Sequence, residues 1–257
     1  MAFASVGNIG RNNSTTAGLT LTVTAAAQLD AGNLGILAIA VDNQSTTDGN
    51  TSEISTVVDT ALNTWTKLRE FCNSQGASNA GATVSVWYTI ADANLPITTG
   101  VVTITLANSK TSKAATIREF TIGAGNTISL AGQTDLATDG AANPGSMTIS
   151  GLSNQEYLFF RGIAGEINAQ IVVTPTTGFA AIQRSEADTG TGGTSVTADG
   201  EWRILTDTSS TSNPTGTTSA DHASTFLAIQ EVVPAGQPIV KRFGGVQFAH
   251  SLGRGMW

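Results

Sequence analysis

The sequence predicts an all-β protein: a jelly-roll-like antiparallel β-sandwich with an extended C-terminal arm. Three observations carry that expectation. Short Thr- and Val-rich runs alternate in polarity with period 2, Gly/Asn/Asp/Ser clusters separate them at the spacing of a sandwich or barrel, and no long stretch sustains a helical period. The chain divides into an N-terminal extension (1–14), the sandwich domain (15–233) and a C-terminal docking arm (234–257).

In chain order, strands are expected at Leu19 to Thr24, Leu34 to Val41, Thr64 to Arg69, Thr83 to Ile90, Val101 to Leu106 and Ala114 to Ile122. The second half adds Ser146 to Ile149, Tyr157 to Ile163, Gln170 to Val173, Phe179 to Glu186, Thr194 to Ala198, Trp202 to Asp207 and Ser224 to Val233. In Val102-Thr-Ile-Thr-Leu106 one face is apolar and the other hydroxylic, the pattern of a strand with one buried face. Around ten or more such strands imply two packed sheets. Glu53 to Leu62 and Ala25 to Leu29 tempt a helical reading, but the first is β-branched and the second too short for more than a turn. Asn143-Pro-Gly145, Asp188-Thr-Gly-Thr-Gly-Gly193 and Ser212-Asn-Pro-Thr-Gly216 read as turns. Asp42 to Ser52 and Thr206 to Ala220 are the longest polar loops.

Composition narrows the function. With 257 residues, 40% apolar and only 6% aromatic, one large domain with a thin, Ala-rich core is expected. The net charge of −7 disfavours nucleic-acid binding, which needs a basic face. Met1-Ala-Phe-Ala-Ser-Val-Gly7 has neither the charged nor the long apolar region of a signal peptide and no apolar run has the length of a membrane span, so synthesis in a host cytoplasm without a signal peptide or membrane insertion is expected. The single cysteine, Cys72, reads as a small buried side chain.

From Pro234 onward the pattern changes. Pro-Ala-Gly-Gln-Pro-Ile-Val-Lys-Arg-Phe-Gly-Gly-Val-Gln-Phe-Ala-His-Ser-Leu-Gly-Arg-Gly-Met-Trp has no period of 2 or 3.6 and no acidic residue. Disordered tails are poor in aromatics, whereas Lys241, Arg242, Phe243, Phe248, Arg254, Met256 and Trp257 combine the residue types enriched at interfaces. Docking on another subunit is the favoured reading, ahead of folding back on the same domain or remaining a tail. These seven residues are the expected partner-binding set.

The order Ala31-Gly-Asn-Leu-Gly-Ile-Leu-Ala-Ile-Ala-Val41, Trp65-Thr-Lys-Leu68, Val84-Ser-Val-Trp-Tyr-Thr-Ile-Ala91, Val102-Thr-Ile-Thr-Leu106 and Ile117-Arg-Glu-Phe120 resembles jelly-roll β-sandwich proteins of tailed-bacteriophage virions. There a Gly-Asp-Leu-Leu strand entry, a Gly-Trp-Thr turn and a Tyr-Tyr-Lys-Val-Ala strand recur in that order. Here Asn33 replaces the Asp and Asn63-Thr-Trp65 replaces Gly-Trp. The resemblance covers about residues 15 to 233, and the Gly-Arg-Gly-Met-Trp ending also resembles phage structural proteins. It implies a non-enzymatic virion protein: a capsid decoration or cement subunit whose partners are copies of itself and other virion proteins, or a tail-tip or fibre module that binds host glycan.

Other chemistries fit less well. A glycan hydrolase needs two carboxylates at fixed separation, and Glu53 with Asp59, Glu166 with Glu186, and Asp199 with Glu201 are candidate pairs. The spacing does not show that any pair converges. His222 and His250 have no motif around them, and His222, at the edge of a polar loop, is expected to be exposed. Asp42, Asn43, Asp48 and Asn50 offer hard oxygen donors for calcium but not at EF-hand spacing, so no metal or cofactor is assigned. Trp65, Trp87, Tyr88, Tyr157 and Trp202 could stack on sugars, but aromatics inside alternating strands more often fill a core. Trp87 and Tyr88 must point to opposite faces, so Tyr88 is expected to face outward.

Overall fold

The computed structural model describes residues 3–43, 45–50, 52–74, 76, 81–166, 172–188, 190 and 195–234. The first half contributes β1 (Ala4–Ser14), β2 (Gly18–Thr24), β3 (Leu34–Asp42), β4 (Ile54–Asp59), β5 (Thr66–Cys72), β6 (Ala82–Ile90), β7 (Val101–Lys110) and β8 (Lys113–Thr121). The second half contributes β9 (Thr127–Ala141), β10 (Met147–Ile149), β11 (Gln155–Glu166), β12 (Val173–Thr174), β13 (Ala180–Ala181), β14 (Ser185–Ala187), β15 (Val196–Asp207), β16 (Ser210–Ser212), β17 (Thr215–Gly216) and β18 (Ala220–Val232).

The protein is all-β and every pairing is antiparallel, but three sheets stack where two were expected. The central sheet has the order β1-β8-β3-β6-β5. A three-stranded sheet, β2-β7-β4, covers one of its faces, and a larger one, β13-β15-β11-β18-β9 with β14 also on β15, covers the other. The short pairs β10-β16 and β12-β17 complete the described strands.

The reason lies in β3, Leu-Gly-Ile-Leu-Ala-Ile-Ala-Val-Asp, which is buried at every position. Leu37, Ile39 and Val41 enter the core shared with β2, β4 and β7, while Leu34, Ile36 and Ala38 enter the core shared with β11, β15 and β18. A continuous apolar run is what a strand covered on both faces requires. The same alternation corrects the expectation for Tyr88. Trp87 packs in the first core and Tyr88, half-buried, against the second, because the face expected to meet water is covered by the larger sheet. Each large apolar side chain buried this way contributes about 1.5–3 kcal/mol.

Along the second core, side chains shrink from Phe3, Phe120, Phe160 and Leu227 at one pole to Ala40, Ala114, Ala164 and Ala223 at the other. Gly162 of β11 allows the close approach, since a Cβ there would lie 2.9 Å from Val86 Cγ2.

Residues 4–14 are not an extension. They form β1, paired with β8 from Ala4↔Thr121 to Ser14↔Lys113. Two register shifts absorb the irregular Gly-rich sequence, and Phe3 inserts into the second core. Glu53 to Leu62 contains β4, as its β-branched residues favour. The segment expected as one loop over Thr206 to Ala220 contains β16 and β17, which pair with β10 and β12.

Candidate functional site

The two poles of the stack differ. Leu34, Phe120, Leu158 and Ile229 share one end of the second core, where β18 runs out through Glu231 and Val232. Asp42, Glu166 and Asp221 mark the other end, because β3 and β11 finish there and Glu166 pairs with Asp221. The last described residues of the chain lie at the first pole. Glu231 Oε1 accepts the Gly123 N–H, Val232 lies across from Thr127, and Val232, Val233 and Pro234 are exposed. The expected partner-binding residues Lys241, Arg242, Phe243, Phe248, Arg254, Met256 and Trp257 lie outside the described residues, as does His250. What is fixed is their starting point: one exposed pole, at the end of a strand second from the edge of its sheet.

The carboxylate pairs resolve one by one. Glu53 and Asp59 sit at opposite ends of β4 with separate partners. Lys110 Nζ lies 3.3 Å from Glu53, whereas Asp59 accepts from the Ala61 and Asn63 N–H groups and from Trp65 Nε1 at 2.8 Å. Glu166 pairs across β15 with Val196, and Glu186 pairs with Thr197, so the two side chains leave opposite faces of the sheet.

Asp199 and Glu201 do share a face, the outer face of the larger sheet, and both are buried. Arg161 lies directly across from Glu201 on β11. Glu201 accepts from Thr176 N–H, from Thr176 Oγ1 and from Ser212 Oγ, while Asp199 accepts from Gly200 and Val173 N–H groups. Arg161, fully buried, donates to the carbonyls of Pro144, Gly145 and Ser212 and to Ser224 Oγ. These groups clasp the 144–145, 173–176 and 212 segments onto the sheet. A buried carboxylate consumed by such donors has no free lone pair facing an open site.

His222 is buried, not exposed. It lies near the start of β18, between Thr138 and Gly165, rather than at the edge of a loop, and among the described residues neither ring nitrogen has a hydrogen-bond partner. Burial, with Arg161 nearby, pushes its pKa down to about 4. Cys72 is buried as expected. Its thiol donates to Asn43 Oδ1 at 2.8 Å, and burial pushes its pKa up to about 11, where a thiolate nucleophile is not formed at neutral pH.

The oxygens considered for calcium do not converge. Asn43 is tied to Ser45 and Cys72, Asp48 to Ser74, and Asn50 to Ser52. Asp42 is different: among the described residues its buried Oδ1 has no hydrogen-bond partner, and burial raises its pKa to about 6 despite Lys110. Among the described residues no cluster of three His, Cys, Asp or Glu side chains is placed to hold a metal ion. Nor is any helix there long and apolar enough to cross a membrane.

The clasp was only half legible. The i, i+2 spacing of Asp199 and Glu201 signals a shared face, but Arg161 joins them through strand register, which no local pattern reveals. Comparison with protein-family models, curated proteins and solved structures finds no match to the chain.

Proposed function

We propose that this chain is a non-enzymatic structural subunit of a tailed-phage virion. In this reading it is a capsid decoration or cement protein that associates with its own copies and docks on neighbouring virion proteins through residues 234–257. The observation that carries the reading is that the described residues end, exposed, at Val233 and Pro234 on one pole, just before the aromatic and cationic C-terminal sequence and after β18 has been paired on both sides by β11 and β9. A segment launched there can engage a neighbour without opening a sheet. Repetition over many copies would multiply a modest contact into firm attachment. The locked Asp199–Glu201 pair supports a structural rather than a hydrolytic use of this buried polar group.

A second reading, a tail-tip or fibre module that binds host glycan, is favoured by the placement of the Asp42 end of β3 at the pole opposite the exit. A subunit anchored by its C-terminal segment would present that end outward.

The test is co-sedimentation with particles lacking this protein. Full-length protein is compared with a chain ending at Val233 and with a full-length Phe243→Ser, Phe248→Ser, Trp257→Ser variant. Loss of binding by both, with an unchanged melting temperature, supports docking through the segment. Unchanged binding refutes it.

A further inference from the structure

The central and larger sheets meet along two sides, and the sides are built differently. Where β5 faces β9, Arg69 and Asp135 close the gap as a forked ion pair. Where β1 faces β14, the gap stays open as a cavity of about 330 Å³ lined by Arg11, Asn12, Asn13, Arg184, Ser185 and Glu186. That volume is at the lower end of the small-molecule range, about 300–1,000 Å³.

Strand alternation explains the lining. Asn12 pairs with Ala115 and turns towards β2, where its amide donates to the Thr22 carbonyl at 2.7 Å. Arg11 and Asn13 therefore turn the other way, towards β14. Two cross-links fix the walls: Ser185 Oγ donates to the Asn12 carbonyl at 2.7 Å, and one Arg11 guanidinium nitrogen donates to the Arg184 carbonyl. On the far wall Arg184 stands 4.0 Å from Glu186. Among the described residues Arg11 takes part in no ion pair, whereas Arg184 has both Glu186 and Asp199 for neighbours, so the two guanidinium groups are the cations of the groove in a chain of net charge −7.

We propose that this groove binds an acidic saccharide, with the sugar carboxylate on the Arg11 and Arg184 guanidinium groups and its hydroxyls on Asn13, Ser185 and Glu186. A guanidinium fork matches a carboxylate, and one nitrogen of Arg11 held on a carbonyl orients the rest of its donors. Amide, hydroxyl and carboxylate neighbours suit vicinal hydroxyls. No lining residue is apolar, which leaves nothing to receive a peptide's hydrophobic side chain, and one net charge is too little for a phosphate polymer. The assignment does not depend on which virion partner, if any, the C-terminal segment engages.

The test titrates full-length protein with sialic-acid and uronic-acid oligomers, and with the same oligomers after reduction of their carboxyl groups to alcohols. Expected is binding of one or both acidic forms only, weakened by salt. Arg11→Gln and Arg184→Gln should each weaken it at least about tenfold, as loss of a charged hydrogen bond implies. Arg11→Lys should recover part of the loss. Melting temperatures identify any variant that has lost its fold, in which case Asn13→Ala supplies the reading. No binding of either acidic oligomer, equal binding of the reduced forms, or affinity unaffected in well-folded Arg variants would overturn the assignment.

Discussion

Glu201 and Glu166 are both buried on the larger sheet, 0% and 4% exposed, yet their surroundings differ. Glu201 receives three hydrogen bonds from Thr176 and Ser212 and lies across from Arg161. Glu166 receives the Gly81 N–H on one oxygen, while among the described residues Oε1 has no hydrogen-bond partner and the charges of Asp42 and Asp221 lie nearby. Burial, then Asp42, pushes its pKa up to about 8. Burial depth is therefore not what makes a carboxylate an anchor. The number of donors is, and it depends on whether the chain folds back over that part of the sheet, as it does at Ser210–Ser212.

The contrast predicts a graded series. The largest effect belongs to Arg161→Met, which removes the cation beside Glu201 and strips donors from three carbonyls and from the Ser212 and Ser224 hydroxyls. Denaturant titration should show a loss of about 3–5 kcal/mol, the usual cost of breaking a buried ionic network. Next is His222→Met, beside Arg161. A histidine whose folded pKa is about 4, below the unfolded value, contributes stability present above about pH 6.5 and lost as pH falls to 4. The variant should be more acid-resistant than the wild type by up to about 3 kcal/mol over that window. At the Glu166 end, Gly81→Ala would set a Cβ 2.0 Å from the Asn73 carbonyl at φ +80°. It should cost about 1–3 kcal/mol and displace the one donor to Glu166.

Smallest is Glu166→Gln. A carboxyl whose folded pKa exceeds its unfolded value makes the fold less stable as pH rises between the two. Asp42 and Asp199, each raised to about 6 mainly by burial, act in the same direction at lower pH. Between about pH 6.5 and 8 Glu166 dominates, so wild-type melting temperature should fall there, by at most about 2 kcal/mol of stability. Glu166→Gln should flatten the fall, and an equal slope in both proteins would show that Glu166 is already charged at neutral pH.

The sequence displays the strands that alternate. Val101–Lys110 and Ala82–Ile90 lie where period 2 puts them, because one or both faces meet a core. Thr127–Ala141, the longest strand, is not apparent as one. Among the described strands it is an edge element paired only with β18, half-exposed along most of its length and interrupted by glycines, so no alternation is imposed on it. β1 is hidden for the same reason. The third layer was visible in principle in the unbroken apolar run of β3, whose meaning depends on knowing that both faces are covered. The polar sites are less legible: Arg11 and Arg184 meet through the packing of two different sheets, far apart in sequence, and His222 follows Asp221 and a polar stretch that look like surface. The C-terminal segment shows the reverse case, with residue types that signal an interface and no strand register to place them.

Hydrogen exchange of the full-length protein, free and bound to particles that lack it, tests the central claim most directly. Docking through the exit pole predicts new protection in residues 231–257 and the adjoining 122–127 turn, with residues 42–50 unchanged. Protection concentrated at 42–50, with none beyond Val233, would contradict it.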